Sequence, residues 1–449
     1  YLLVGTLPKQ FSNLPTYSST LKKKFGDMYT DNGFAFMVST TTEEAISWLW
    51  NAERKGTTTQ DWPPSISKLL GAGAVTNNEG KRHRALRRIL EPAFAPKATR
   101  DYLEVIDMVT CKHLDEWASS SQRFHKSEVF KMYALRLFFV AAFGREGDLA
   151  VLHQLHADFK IWLQGFASPI AYRIPGTQFY KSMAARDRIL QLVEEMILQF
   201  KKENPKESER AKTTMMGRAC YGVDEEGNPM KMEDMKDNIL NMIFAGHDTT
   251  YASIGSAIHF LCEYPSIRTA LIDEAKGFQE PLDYDELKSA PVLNAFLAET
   301  WRMDPPAPLG VRKLTKMQVY NGYTFPKGIS VGYNISLLNK NSDLYPDPEA
   351  FNIERFLPAN HPLVKDPQIQ KASKHVDFNS MKANYPVFGG GLHACIGSHF
   401  AKLEMRVLVT RLLQSYSIEE QNPEKLYFPI NGWANEFRLT SVNALGCVG

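Results

Sequence analysis

The sequence predicts a mainly α-helical protein of 449 residues. Apolar residues recur at helical spacing through most of residues 101–200, with breaks at Gly144 and at the Pro175-Gly176 pair. A second helical pattern covers residues 233–263 and is far longer than an average globular helix. No Ser/Gly-rich linker, low-complexity tract or internal repeat divides the chain, so we expect one domain over residues 1–449.

The composition is that of a folded protein without a strong charge bias. Hydrophobic residues make up 44% of the chain and charged residues 23%, which is enough to bury a large core. A formal net charge of +2 argues against a dedicated nucleic-acid-binding protein. The cysteines lie far apart in no paired pattern, which indicates a reducing compartment, no disulfide framework and no zinc site. They are Cys111, Cys220, Cys262, Cys395 and Cys447.

The N-terminal part predicts a helix at residues 17–25, a short strand near residues 34–38 and a second helix at residues 42–51. A densely basic segment follows, in which His83 and Arg87 are four positions apart and therefore share one helix face. A basic run of this kind is normally a solvated helix face or an anion site.

The long helix contains the stretch Ala245-Gly246-His247-Asp248-Thr249-Thr250. Gly246 weakens a helix by roughly 1 kcal/mol relative to alanine, and the Thr249 hydroxyl can divert a carbonyl, so we expect a local bulge. Apolar neighbours on both sides of the stretch predict burial. A buried Asp248 requires a polar partner or a chemical role.

A shorter helical pattern covers residues 294–303 and places Glu299 and Arg302 three positions apart. Such a pair is common on helix surfaces and carries little information by itself.

One cysteine follows a run of three glycines and precedes an amphipathic helix that extends to about Ser415. The pattern, Phe-x-x-Gly-x-His-x-Cys-x-Gly, covers residues 388–397. We expect Cys395 at the helix N-terminus, where the helix dipole and free N–H groups favour a thiolate, and glycines that allow a flat ligand to approach. The alternative is a small buried hydrophobe, the usual role of a lone cysteine.

The cysteine pattern resembles the haem-binding loop of the cytochrome P450 family. The other stretches appear in that family's order: the acid-threonine pair in the long helix, Glu299-x-x-Arg302, and a later arginine in residues 351–356. His393 stands where most members have arginine, and Ile353 where proline is usual. The resemblance implies the P450 fold, with a helix-rich lobe, a smaller β-rich lobe, and haem b between the long helix and the cysteine loop.

The resemblance assigns Cys395 as the axial ligand of the haem iron, Thr249 as the hydroxyl that contacts oxygen, and Asp248 as the proton-relay acid. It implies a buried structural network of Glu299, Arg302 and Arg355. The expected haem contacts are His83, Arg87, Ala245, Gly246, Arg312, Phe388, Gly391, His393 and Gly397. The expected substrate-pocket residues are Leu69, Leu70, Phe166, Phe244, Leu309, Val311 and Trp433, although core packing is an equal alternative for Leu69 and Leu70.

The implied activity is that of a monooxygenase that inserts one oxygen atom of O2 into a lipophilic small molecule. Similarity around Pro175-Gly176 to retinoid and steroid hydroxylases points to a steroid, retinoid or other isoprenoid. Electrons must come from a separate donor protein, a flavoprotein reductase or a ferredoxin, because the chain has no Gly-x-Gly-x-x-Gly fingerprint and no Fe–S cysteine cluster. We expect the basic residues Arg82, Arg84 and Arg88 to meet that donor.

Two other classes remain open. A haem-thiolate isomerase or dehydratase acts on a peroxide without external electrons, but such relatives lack the acid-threonine pair. A non-catalytic haem sensor needs neither a proton relay nor an electron-donor patch.

Membrane association is expected only through a segment upstream of the sequence. Residues 1–5 resemble the stretch that follows the proline-rich hinge of eukaryotic members, which predicts a missing anchor and an endoplasmic reticulum location facing the cytosol. A plastid or soluble location stays open. The sequence itself has no run of about 18 apolar residues that could span a bilayer.

Overall fold

Helices dominate the computed structural model, which describes residues 14–31, 37–119, 124–366, 368–369, 382–426 and 432–441. The first half contains α1 (Leu14–Phe25), α2 (Glu43–Arg54), α3 (Pro64–Leu70), α4 (Gly80–Leu90), α5 (Pro96–Asp101), α6 (Leu103–Ser119), α7 (Lys126–Phe143), α8 (Leu149–Leu163), α9 (Gln178–Glu203), α10 (Glu209–Thr213) and α11 (Met215–Tyr221). The second half contains α12 (Met232–Glu263), α13 (Pro265–Ala275), α14 (Tyr284–Ser289), α15 (Pro291–Met303), α16 (Ile335–Leu338) and α17 (Ser398–Ser415).

Within the described residues the strands form three small sheets, which confirms the predicted combination of a helical part and a smaller β part. They are β1 (Met28–Asp31), β2 (Met37–Thr40), β3 (Thr58–Gln60), β4 (Phe124–His125), β5 (Leu309–Leu314), β6 (Gln318–Tyr320), β7 (Tyr323–Phe325), β8 (Ser330–Asn334), β9 (Tyr416–Leu426) and β10 (Gly432–Ser441). The largest sheet has the order β1-β2-β8-β5-β3, in which only β2 and β8 are parallel neighbours. The others have the orders β4-β10-β9 and β6-β7.

Helix α12 crosses the core of the helical part. It has 32 residues, and the residues between Met235 and Leu261 are almost all buried. At 1.5 Å per residue it is about 48 Å long. The acidic residues Glu233 and Asp234 lie in its first turn, where their negative charges interact favourably with the positive end of the helix dipole. The helix ends at Glu263, and Pro265 begins the next one. The helix predicted at residues 233–263 is therefore confirmed.

The predicted breaks in the helical region are also present. Helix α7 ends just before Gly144, which has a φ of +65°. Gly176 has a φ of +86° and precedes Thr177, whose side chain caps α9 by accepting the N–H of Tyr180. This second break is wider than predicted, because residues 164–177 form an irregular connection between α8 and α9.

A smaller hydrophobic cluster joins α2 to the five-stranded sheet. Ile46, Leu49 and Trp50 of α2 are buried with Val331 and Tyr333 of β8. This packing fixes the last turn of α2, which reaches the cysteine loop.

No helix in the described ranges is both long and apolar enough to cross a bilayer.

Candidate functional site

The cysteine loop is an irregular segment that leads into α17. The backbone N–H of Cys395 donates to the carbonyl of Phe388 at 2.9 Å, which closes the loop. The helix begins at Ser398 with Gly397 as its N-cap, so Cys395 precedes the helix and does not occupy its N-terminus as predicted. The difference arises because Ala394 to Gly397 adopt loop conformations, and the first helical hydrogen bond joins the Ala401 N–H to the Gly397 carbonyl.

Solvent reaches the Cys395 side chain, but protein atoms pack densely around the sulfur on its other sides. Burial raises the pKa of the thiol, whereas the Gly397 N–H and the charges of Arg87 and Lys402 act in the opposite direction. A bound cation would favour the thiolate further.

The glycine run packs closely against α2. A Cβ at Gly390 would lie 2.4 Å from the Trp50 ring, and one at Gly391 would lie 2.1 Å from a Glu53 carboxylate oxygen. Gly391 also has a φ of +72°, which favours glycine. Side chains of α2 therefore fill the Cβ side of Gly390 and Gly391, and the close approach of the loop backbone to a flat ligand stays a prediction.

The predicted cationic residues gather at this loop. Arg87 of α4 donates to the carbonyls of Leu392 and Ala394 at 3.1 and 2.7 Å. The rings of His83 and His393 pack at a tilt of 30° with their centroids 3.9 Å apart. Burial and the nearby charges of His393 and Arg87 lower the pKa of His83 to about 3, so His83 is neutral.

A buried carboxylate that sequence reasoning missed connects two of the predicted residues. Glu53 Oε1 lies 2.9 Å from Arg312 Nε and 2.7 Å from His393 Nδ1. Its other oxygen accepts the N–H of Leu392 at 2.8 Å. Burial opposes ionisation of Glu53, but the hydrogen bond from His393 and the charge of Arg312 hold its pKa below the ordinary value.

Helix α12 presents Ala245, Gly246 and Thr249 on an accessible face, since none of the three is buried. The Thr249 hydroxyl donates to the Ala245 carbonyl at 2.5 Å. The segment remains α-helical, so the predicted bulge does not form. The physical reason is that the hydroxyl adds a hydrogen bond to this carbonyl without interrupting the backbone ladder.

Asp248 is buried, and its partners are side chains that the sequence did not reveal. His247 Nδ1 lies 2.9 Å from Asp248 Oδ1, and the Lys131 ammonium of α7 lies 3.7 Å away. Burial raises the pKa of Asp248, but the His247 hydrogen bond and the Lys131 charge outweigh this effect, so the pKa falls below its ordinary value. Asp248 is therefore a carboxylate at neutral pH.

The three residues expected to form a structural network meet in the core. The two Glu299 carboxylate oxygens accept from Arg302 at 2.6 and 2.7 Å, and one of them lies 3.4 Å from Arg355 Nε. All three side chains are fully buried. The network reaches the start of the cysteine loop, because the Tyr385 hydroxyl donates to the Ala298 carbonyl at 2.8 Å.

The expected substrate-pocket residues fall into three groups. Leu69 and Leu70 are completely buried in the hydrophobic core, which favours core packing over pocket lining. Phe166 is 8% exposed, and Phe244, Leu309 and Val311 are partly buried. Trp433 lies on β10, but its side chain is outside the described part of the chain.

These residues fit haem. Cys395 could supply a thiolate ligand, and the guanidinium groups of Arg87 and Arg312 could pair with the two haem carboxylates. Buried Nδ1 of His83 has no hydrogen-bond partner among the described residues, as expected for a group that contacts a ligand. Within the same residues, and apart from the adjoining backbone, no heavy atom lies within 4 Å of a Cβ placed at Gly246 or Gly397.

The loop and α12 are linked through α15. The Phe388 ring packs edge-on against Trp301 of α15 at 5.2 Å, and Trp301 Nε1 donates to Ser253 of α12 at 2.9 Å. The cysteine and the accessible face of α12 therefore belong to one packed unit.

Comparisons with known proteins agree with this site. A family model described as cytochrome P450 matches residues 2–441. Putative cytochrome P450 120 of Synechocystis sp. is 30% identical and covers 93% of this chain and 90% of that protein. Abscisic acid 8'-hydroxylase 2 of Arabidopsis thaliana is 25% identical, and the match covers 97% of this chain and 87% of that protein. The structure of a retinoic acid-bound cyanobacterial CYP120A1 matches with a TM-score of 0.84 and 28% identity, covering 98% and 97% of the two chains. The chain thus belongs to the cytochrome P450 family, whose cofactor is haem b, and is a P450 monooxygenase.

Proposed function

We propose that the chain hydroxylates a lipophilic isoprenoid, with electrons from a separate donor protein. The observation that carries the substrate class is an aromatic cluster beside the accessible face of α12. The rings of Trp162 and Phe166 lie 4.8 Å apart, and both contact Phe244 of α12, at 5.6 and 5.0 Å. A substrate bound against Phe244 on this face would meet an aromatic surface, which suits a lipophilic molecule.

The names of the relatives support the same class. One matching structure contains retinoic acid, and one relative is named for hydroxylation of abscisic acid. Retinoic acid and abscisic acid are both isoprenoid carboxylic acids. We therefore place a compound of this type first among the substrates to be tested.

Haem with a thiolate ligand, when bound, supplies the chemistry that cleaves O2 and transfers one oxygen atom to a C–H bond. The chain's own residues would hold the haem and deliver protons. Cys395 would be the ligand, while Arg87, Arg312, His83 and His393 would bind the carboxylate edge.

Proton delivery is assigned to two neighbouring residues of α12. The Thr249 hydroxyl lies on the accessible face, where it would turn from the Ala245 carbonyl to donate to oxygen. The Asp248 carboxylate would accept a proton on the buried side and pass it toward Thr249, and Lys131 and His247 keep that carboxylate ionised between turnovers.

The electron-donor protein would bind to the basic surface of α4. Arg84 is exposed there, whereas Arg82 and Arg88 form ion pairs with Asp234 and Glu225 at 2.7 and 3.3 Å. A donor protein with an acidic surface would compete for these exposed arginines, so we expect electron transfer to weaken at high salt.

The substrate proposal predicts that retinoic acid binds and shifts the visible absorption of the haem. Phe244→Ala should weaken this binding roughly tenfold or more, because a large apolar contact is lost. Phe25→Ala, which removes an exposed ring on α1, is the matched control and should leave the affinity unchanged. Equal binding by wild type and Phe244→Ala, or preference for an unbranched fatty acid over all isoprenoids tested, would overturn the assignment.

The proton-relay assignment predicts that Thr249→Ala uncouples the reaction. Electrons should still be consumed, but most should reduce oxygen to peroxide or water instead of forming hydroxylated product. The measurement is the ratio of product to electron pairs consumed. Thr249→Ser retains the hydroxyl and should recover much of the coupling, whereas a normal ratio in the alanine variant would remove Thr249 from the relay.

A further inference from the structure

We propose that Glu53 is a positioning residue for the haem. It would fix Arg312 and His393 in place and keep a buried negative charge near the haem carboxylates, which would hold the reduction potential of the iron low. The inference rests on the haem site proposed above. It concerns a residue of α2, far in sequence from every motif of that site.

The hydrogen bonds of Glu53 leave it little freedom. Its side chain is 1% exposed, and its two oxygens are divided between different groups of the site. Oε1 meets Arg312 Nε and His393 Nδ1, while Oε2 accepts the Leu392 N–H of the cysteine loop. One carboxylate thus orients a strand residue, a loop side chain and the loop backbone.

The backbone of the loop is shaped to admit this carboxylate. Any Cβ at Gly391 would collide with Glu53 Oε2, and Gly391 adopts a positive φ directly before Leu392, whose N–H donates to the same oxygen. Further hydrogen-bond partners complete the arrangement of Arg312 and His393. Arg312 Nη1 donates to Gln60 Oε1 at 3.0 Å, and His393 Nε2 lies 3.3 Å from the Asn78 carbonyl.

The electrostatic consequence follows from burial. A charge that is removed from water is screened weakly and acts over longer distances than an exposed one. A fixed negative charge near the haem stabilises the ferric state, which carries one more positive charge than the ferrous state. Burial and nearby polar groups are among the means by which a protein sets a haem potential.

Glu91 provides an exposed counterpart to Glu53 in the same chain. Glu91 also pairs with an arginine of the proposed site, Arg87, at 3.0 Å, but the Glu91 side chain is 53% exposed. Water should screen its charge, so removal of that charge should matter much less.

The test is potentiometric titration of the haem-loaded protein and of its Glu53→Gln and Glu91→Gln variants. Glu53→Gln keeps the shape of the side chain and removes the charge. We expect an upward shift of the midpoint potential several times larger than the shift for Glu91→Gln, with the carbon monoxide spectrum still of the thiolate type. Equal shifts in the two variants, or no shift, would overturn the inference.

A second variant covers the case in which Glu53→Gln fails to retain haem. Glu53→Asp keeps the charge, and retention of haem at the wild-type potential by this variant alone would support the electrostatic role. Loss of haem from both variants would show that Glu53 acts through packing and not through its charge, which would contradict the proposal. If the wild type itself bound no haem through a thiolate, the proposed haem site would fail, and that result is distinct from a failure at Glu53.

Discussion

Replacing Cys395 with histidine should abolish the strongly red-shifted Soret band that the reduced wild-type protein shows with carbon monoxide. This band depends on a thiolate that donates electron density to the iron, and an imidazole ligand donates much less. The measurement is the absorption spectrum of reduced protein with carbon monoxide. Monooxygenase activity should fall with the band, because cleavage of O2 relies on the same electron donation.

The matched control removes a cysteine elsewhere in the fold. Cys220 lies on α11, and burial raises the pKa of its thiol to about 11, so it remains protonated. Cys220→Ala should retain the red-shifted band. A band that persisted in Cys395→His, or its absence from the wild type, would show that Cys395 is not the ligand.

Replacing Arg302 with leucine should destabilise the fold by about 3–5 kcal/mol, the usual effect of removing one partner from a buried ion pair. Glu299 would lose the two short hydrogen bonds from Arg302 and keep the Asn352 N–H at 2.7 Å and the longer contact with Arg355. The carbonyls of Asn339 and Pro348 would also lose the guanidinium that they accept from. Since a domain is stable by only about 5–15 kcal/mol, we expect poor expression and weak haem retention.

The control is an arginine-carboxylate pair of similar geometry on the surface. Arg100 and Asp285 lie 2.7 Å apart, but their side chains are 48% and 63% exposed. Arg100→Leu should change the free energy of unfolding by less than about 1 kcal/mol. Denaturant unfolding measures both variants, and a similar small effect for Arg302→Leu would show that the buried network does not stabilise the fold.

Local sequence patterns were sufficient to predict the parts of the site that lie within one element. The long helix, the helix after Cys395 and the pairing of Glu299 with Arg302 depend on spacings of three or four residues, which a sequence displays directly. Residue order could also place His83 and Arg87 on the same helix.

The remaining features depend on contacts between distant parts of the chain. Glu53 lies beside Arg54 and Lys55 at the end of a helix, where its spacing resembles an ordinary surface charge. Only the fold shows that Trp50 and Glu53 require Gly390 and Gly391, or that Lys131 approaches Asp248. The sequence could not decide whether Leu69 and Leu70 line a pocket or pack in the core, because both positions require apolar residues.

The pairing of Glu53 with His393 also has a consequence for how the protein matures. The two residues are separated by 340 positions, and β2 similarly pairs with β8 across most of the chain. At about 5–20 residues per second, a ribosome needs about 20–70 s to synthesise the sequence between Glu53 and His393. Closing so long a loop is slow and must precede formation of the cysteine pocket. Haem capture should therefore be a late event in synthesis and folding, and nascent chains that end before the cysteine loop should bind no haem through a thiolate.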